Sequence, residues 1–468
     1  VAVGHAAGLV LSTGIQNTLI GGLAGDAITT GTANAIVGYT AATNLETGSE
    51  NVVVGSGAMN SANGSESRNV AIGTNTLAAM DSDGNNYNVA VGYDAGKAVT
   101  TGTDSVLIGA FTGDAITTGQ YNVAIGRSAL STEDQFGFNV AVGAFALLNQ
   151  NAADNAFNVA VGYNAGSNIT TGLQNTLIGG HAGDALTTGT SNTTLGYNSL
   201  TQATIASNNV AIGRQALEHN ILTDRNVAVG MGALQQFVGD GSTSNQTTYN
   251  VGVGFQAGKQ LTTGIKNTLI GGLAGDALNG GANNVAIGYA ALSAEDGHSA
   301  NVAVGYQALT AQNAGADAFN VAVGYSAGES VSTGVQNTIV GGQAGDALTT
   351  GNHNVAIGFR ALSDEDTGNN SVAIGYYALN KQNNASNNYN VAIGHSALQE
   401  LVGGIYNTSL GHLSGTSITS GEQNTLIGMQ AGDALTTGDN NIIIGYAAAA
   451  SAIGIDNTTV IGTTTTAH

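Results

Sequence analysis

The chain contains no cysteine, no proline and no tryptophan, and only 8% of its residues are charged. Without cysteine there is no disulfide framework, no thiolate nucleophile and no Cys-based metal site, and the redox compartment leaves no trace in the sequence. The absence of proline suits a fold in which most backbone N–H groups are paired with neighbouring segments. Lys and Arg number 9 against 30 Asp and Glu, for a net charge of −21, so the basic stripe that nucleic-acid binding needs is missing. The same balance argues against anionic membrane surfaces. Apolar residues reach 42%, yet no run is long enough to span a bilayer, and no stretch of these residues reads as a signal peptide.

Glycine is abundant, at 71 of 468 residues, and it recurs with a period. Variants of the pattern Asn-x-x-aliphatic-Gly appear in 27 copies from Val1 to Gly462, and Asn337 to Asp346 (Asn-Thr-Ile-Val-Gly-Gly-Gln-Ala-Gly-Asp) carries one of them. Most steps between the closing glycines are 17 residues; one is 18, four are 19 and one is 24. A fixed period of this size marks a repeat architecture. Before the glycine the middle residue is most often Ala, so that many repeats alternate large, small, large, as in Val70-Ala71-Ile72. Period-two alternation with β-branched residues reads as a short strand. Each interior glycine costs a helix roughly 1 kcal/mol, so helix is the poor alternative.

One strand per repeat predicts an all-β fold, a parallel β-roll or β-solenoid of about 27 coils. At the spacing of neighbouring strands such a stack would be a rod roughly 130 Å long. The expected core is a continuous stack of the Val and Ile side chains. The Ala between them would then face the opposite way, where a second chain could approach closely, for instance in a three-chain rod with Ala rows facing the axis.

Asn occupies the place four residues before the corner glycine at 23 of 26 positions, including Asn17, Asn34, Asn69, Asn284 and Asn337; Ser105, Ser371 and Thr458 are the exceptions. Asn bonds its own backbone at turns and tolerates left-handed φ. The expected role is a turn ladder from coil to coil, with corner glycines such as Gly21, Gly73, Gly288 and Gly341 as structural partners. A row of ligand groups is the functional alternative.

A longer pattern groups the coils in fours, about 70 residues each, as from Gly254 to Gly324 to Gly394. Coils carrying Thr-Thr-Gly or a variant come in adjacent pairs, and the second of each pair has Gly-Asp: Asp26, Asp114, Asp184, Asp276, Asp346 and Asp433. These six are weak candidates for Ca²⁺ ligands. One carboxylate per four coils is far from the six to eight oxygens Ca²⁺ takes, so turn capping is expected of them and no cofactor is expected. Acidic loops follow at Glu133-Asp134, Glu295-Asp296 and Asp364-Glu365-Asp366. They lack a nucleophile or a partner His, and are expected on a solvated face. The eight His do not cluster in sequence and show no metal spacing. No residue reads as catalytic, and the chain is expected not to be an enzyme.

The whole of 1–468 reads as one repeat domain, with a loop insertion at 235–249 rich in Gly, Ser, Thr and Gln. Val1 opens inside a repeat, which suggests a fragment of a longer fibre. The end, Asn457 to His468, passes into a threonine run, as though a different segment followed. Tyr87, Tyr121, Phe138, Phe157, Tyr249, Phe319, Tyr389 and Tyr406 recur beside the turns, where they would either staple loops or stack on sugar rings. Threonine rows on a flat solenoid face can bind ice, but here they are only two coils deep.

The stretch Asn284 to Leu292, Asn-Val-Ala-Ile-Gly-Tyr-Ala-Ala-Leu, resembles the repeats of YadA-like heads of trimeric autotransporter adhesins. It is more similar still to arrays in bacteriophage tail fibres, which often precede a cleavable chaperone domain. The resemblance covers nearly the whole chain, although the adhesin-head repeat is shorter. It implies a left-handed parallel β-roll, a homotrimer, an extracellular place on a virion tail fibre or cell surface, and a role in host attachment through glycan or protein. A bacterial adhesin head, or a monomeric solenoid filament or ice-binding protein, are the alternatives.

Overall fold

A computed structural model describes residues 1–242, 244–449 and 454–463. Among these there is no helix. Each repeat contributes one short strand to the stack, of three residues in all but the first, as in Thr18–Ile20, Val123–Ile125 and Val355–Ile357. Every such strand for which a register is defined pairs in parallel with the next coil, for example Thr18↔Ala35, Leu19↔Ile36 and Ile20↔Val37. The fold is therefore a parallel β-solenoid of about 27 turns, with the spacing read from the repeat.

The solenoid falls into two compact units: Val1–Asn226 with Gly241–Thr247, and Val227–Asp240 with Thr248–His468. The first stacks the strands from Ala2–Val3 to Val210–Ile212; the second stacks those from Val227–Val229 to Thr459–Ile461. Within the insertion, Phe237 is fully buried in the second unit. Gln246–Thr247 pairs in parallel with Thr223–Asp224 in the first. Thr243 of the insertion, and the threonine run from 464 on, lie outside the described residues.

The corners explain the glycine period. Gly21 has φ +135°, a conformation L side chains rarely adopt, and a Cβ there would collide with the carbonyl oxygen of Gly38 in the next coil. Gly73, Gly288 and Gly341 repeat this at φ +139°, +138° and +137°. Other corners are left-handed without glycine, such as Leu77 at φ 49° and Tyr121 at φ 57°. Each carries a strain of about 1–2 kcal/mol that the packed stack must offset.

The core reverses one expectation. The middle residue of each strand points inward: Ala71, Ala124 and Ala286 are fully buried, as are Leu107 and Leu177. The flanking Val and Ile point outward and are partly exposed, Ile20 at 40% and Ile72 at 38%. The interior is thus an Ala and Leu core, and the Val and Ile rows are surface. The reason is space. Where the strand centre is Leu107, the inward place six residues on is Gly113, and a Cβ there would lie 2.9 Å from the Leu107 side chain. Where the centre is Ala124, that place holds Leu130. In these coils large and small alternate around a narrow lumen; at Ala90 the place six residues on is Gly96, and Leu77 and Leu107 of the adjoining coils fill the space.

Candidate functional site: the outward face of the strands

The buried Asn side chains set the inner edge of this face. The backbone N–H of Asn34 donates to Asn17 Oδ1 at 3.0 Å, and Asn34 Nδ2 donates to the same oxygen and to the Gly48 carbonyl at 2.9 Å. Asn51 repeats the arrangement on Asn34. Asn69, Asn284 and Asn337 occupy the same slot, each with its backbone N–H on the amide oxygen of the preceding ladder residue. The amides of Asn34, Asn51 and Asn69 are bonded within the fold and buried, and so are not presented to a ligand.

Because Asn and the strand centre point inward, the alternate residues form the outer face. In one coil these are Tyr121, Val123 and Ile125; in the next, Phe138, Val140 and Val142; then Phe157, Val159 and Val161. Tyr121, Phe138 and Phe157 stack in a continuous column, with centroids 5.1 and 5.2 Å apart. Tyr389 and Tyr406 stack likewise at 5.3 Å. A second column follows the corner glycines: Tyr289, Tyr306 and Tyr325 at 5.5 and 5.3 Å, then Phe359, Tyr376, His395 and His412 at 5.5, 4.9 and 5.0 Å. These rings stack on one another and remain half exposed, Phe157 at 52% and Tyr325 at 59%. Tyr121, Phe138, Phe157, Tyr389 and Tyr406 are therefore rungs of surface columns. Tyr87 is covered by the Arg68 guanidinium, which donates to its hydroxyl at 2.7 Å and is held by Glu50. Half-exposed aliphatic rows run beside these columns, and at Tyr389/Tyr406 and His395/His412 stacked rings stand on both sides of the same strands, an apolar surface on a chain this polar elsewhere.

The Gly-Asp residues do not converge. Asp26, Asp114, Asp184, Asp276, Asp346 and Asp433 are half-buried, each on its own coil. Burial pushes the Asp114, Asp276 and Asp346 carboxyls above the ordinary aspartate value, while each residue's own backbone amide opposes the shift. Asp184 Oδ2 lies 3.0 Å from His181 Nδ1. The Thr-Thr-Gly hydroxyls turn onto the next coil: Thr117 Oγ1 donates to the Asp134 carbonyl at 2.9 Å, and Thr29 Oγ1 to that of Glu46 at 3.2 Å. A shallow groove of about 500 Å³ in the first unit is lined by Val10, Asp26, Thr43 and Glu46, among others.

The acidic loops correct a second expectation. Glu133, Glu295 and Glu365 are fully buried rather than solvated. Each stands seven residues after its corner glycine, a slot held by Ile116, Leu278 and Leu348 in the coils before. Each carboxylate accepts the N–H three residues on, from Phe136, His298 or Gly368. Burial raises the Glu133 carboxyl above the ordinary range, and these hydrogen bonds oppose it. Aligning the repeats by slot would have found these residues.

No helix among the described residues is long and apolar enough to cross a membrane. No protein-family model matches the chain, and neither does any curated protein or solved structure.

Proposed function

We propose that the chain is the shaft of a homotrimeric fibre of the tail-fibre type, three left-handed β-rolls side by side, that presents loops for attachment to a host surface. The observation that carries this reading is the outward face: rows of half-exposed Val and Ile repeated on successive coils, with aromatic stacks beside them in each unit. Leaving such rows in water is unfavourable, and covering each aliphatic side chain contributes up to about 1.5–3 kcal/mol. A second and third copy carry the same rows at the same spacing, so self-association matches them coil for coil. The contact between chains is then made by Val and Ile, and the Ala rows stay inside each chain. No catalytic constellation competes with this role: acidic residues recur without a nucleophile, and the polar surface is mostly Asn, Gln, Ser and Thr. Longer loops such as 149–157 and 312–319 interrupt the regular coils, and loops carried on a rigid scaffold are where recognition concentrates. The receptor class proposed is a cell-surface glycan or protein, met outside the cell.

Two experiments test the reading. Replacing Val123, Ile125, Val140 and Val142 with Asp places charges on adjacent outward rows without touching the interior. The expected result is loss of association in sedimentation velocity, with far-ultraviolet circular dichroism unchanged. Undiminished association would refute the role of this face. Attachment is tested by incubating the labelled chain with host cells before and after glycosidase treatment; absence of binding to any cell type would refute the adhesive role.

A further inference from the structure

The fold gathers three potential metal ligands at one turn of the second unit, Glu295, Asp296 and His298. Glu295 Oε1 lies 3.0 Å from His298 Nδ1, and Asp296 Oδ1 lies 4.0 Å from that same nitrogen. All three ligand atoms fall within 4.8 Å of one another. Ligands about 2.1 Å from a tetrahedral zinc ion stand roughly 3.4 Å apart. The triangle is therefore near the size a zinc ion requires.

The second observation is independent of this spacing. Glu295 is fully buried, and its Oε2 has no hydrogen-bond partner. A buried carboxylate oxygen without a donor is costly unless a cation neutralises the group. The two equivalent turns make the contrast. They share the backbone frame: the N–H groups of Thr117, Asn279 and Thr349 donate to the carbonyls of Asp134, Asp296 and Asp366 at 2.6, 2.5 and 2.6 Å. In the third turn, Glu365 Oε2 accepts from Gln382 at 2.9 Å and from Asn388 at 3.0 Å. In the first, Glu133 Oε2 accepts the Ala152 N–H at 3.5 Å. At Glu295 the corresponding glutamine, Gln312, donates to the Ser332 carbonyl instead. The ladder residue six positions on, Asn301, is also fully buried, with its amide nitrogen unpartnered among the described residues. The turn with the unpaired carboxylate oxygen is also the one with a histidine, where the others have Phe136 and Gly368.

We propose that Glu295, Asp296 and His298 bind a divalent transition-metal ion of the zinc class. Glu295 supplies the buried anionic ligand and His298 the imidazole nitrogen. Asp296, 61% exposed, closes the site from the solvent side and leaves a position for water. Imidazole selects zinc over calcium, which takes oxygen ligands in larger number. The ion would offset the buried charge and tie the turn to the stack.

The test is calorimetric titration of the full chain with zinc chloride and, separately, calcium chloride. His298→Phe copies Phe136 of the equivalent turn and so is compatible with the fold. The expected result is a zinc site weakened about tenfold or more by His298→Phe and also by Asp296→Asn, which keeps the shape of the side chain. The stacked pair His395 and His412 is another place where zinc could adhere, as is His181 beside Asp184, so the double variant His395→Gln, His412→Gln and the single variant His181→Gln should each bind zinc as the unaltered chain does. Calcium should not compete. No zinc binding by the unaltered chain, equal binding by His298→Phe, or loss of binding in the double variant or in His181→Gln would each overturn the proposal.

Discussion

Removing one rung of the Asn ladder tests whether the ladder holds neighbouring coils together. Asn175 is fully buried. Its Oδ1 accepts the Asn192 backbone N–H at 3.0 Å and the Asn192 amide at 3.1 Å, and its Nδ2 donates to the Gly189 carbonyl at 2.9 Å. In Asn175→Ala the Asn192 amide keeps its bond to the Ala206 carbonyl at 2.8 Å, but the Asn192 backbone N–H and the Gly189 carbonyl lose these partners. Leaving a buried polar group unsatisfied costs about 1–3 kcal/mol, so two of them predict a loss of roughly 2–4 kcal/mol, some of it recovered by local relaxation. Serine offers an internal standard: Ser105 occupies the same slot and accepts the Asn122 N–H at 3.3 Å. Asn175→Ser should therefore cost less than Asn175→Ala. Repeat arrays can unfold locally, so the assay is site-resolved amide hydrogen exchange beside denaturant unfolding. The expected result is a loss of protection centred on Asn192 and fading over adjoining coils. A change in stability below about 0.5 kcal/mol, with Asn192 protection intact, would refute the reasoning.

Leu107→Ala should destabilise the first unit by about 3–5 kcal/mol, because the flanking inward places are Gly96 and Gly113 and have no side chains to collapse into the gap; denaturant unfolding reads it directly. The pH dependence should run opposite to the usual acid denaturation. Asp114, Asp276, Asp346 and Glu133 are raised in the folded state by burial, so the native chain binds more protons than the unfolded chain just above the ordinary values of 3.8 for Asp and 4.5 for Glu. Stability should therefore rise as pH falls from neutrality toward that range, and Asp346→Asn should flatten the slope. Thermal melts across this interval check both statements, and a melting temperature that falls on mild acidification would contradict them.

The glycine period carried the coil, and the alternation of Val-Ala-Ile carried the strand. What alternation leaves open is which face is inside. A strand with two large residues and one small one suggests that the large ones form the core, whereas the lumen accepts Ala124 beside Leu130, or Leu107 beside Gly113, and little more. The space left by the opposite corner and by the adjoining coils decides the matter, and both lie outside the strand pattern. The buried glutamates were obscured in a similar way. Glu295 beside Asp296 resembles a solvated loop until its slot is matched to Leu278 one coil earlier. The left-handed corners at Leu77 and Phe138 run against backbone preference, so local propensity gives no sign of them. The Asn ladder was the most legible feature, because its four-residue offset from the glycine is nearly constant and its chemistry suits few other roles.

The claim on which the functional reading rests is that the outward Val and Ile rows are covered by other copies of this chain. Native mass in solution by multi-angle light scattering tests it most directly. The account predicts three times the 46.2 kDa of one chain, persisting as the sample is diluted. A single-chain mass at every concentration would contradict it, and the aliphatic rows beside the aromatic stacks would then be an exposed surface in the free protein.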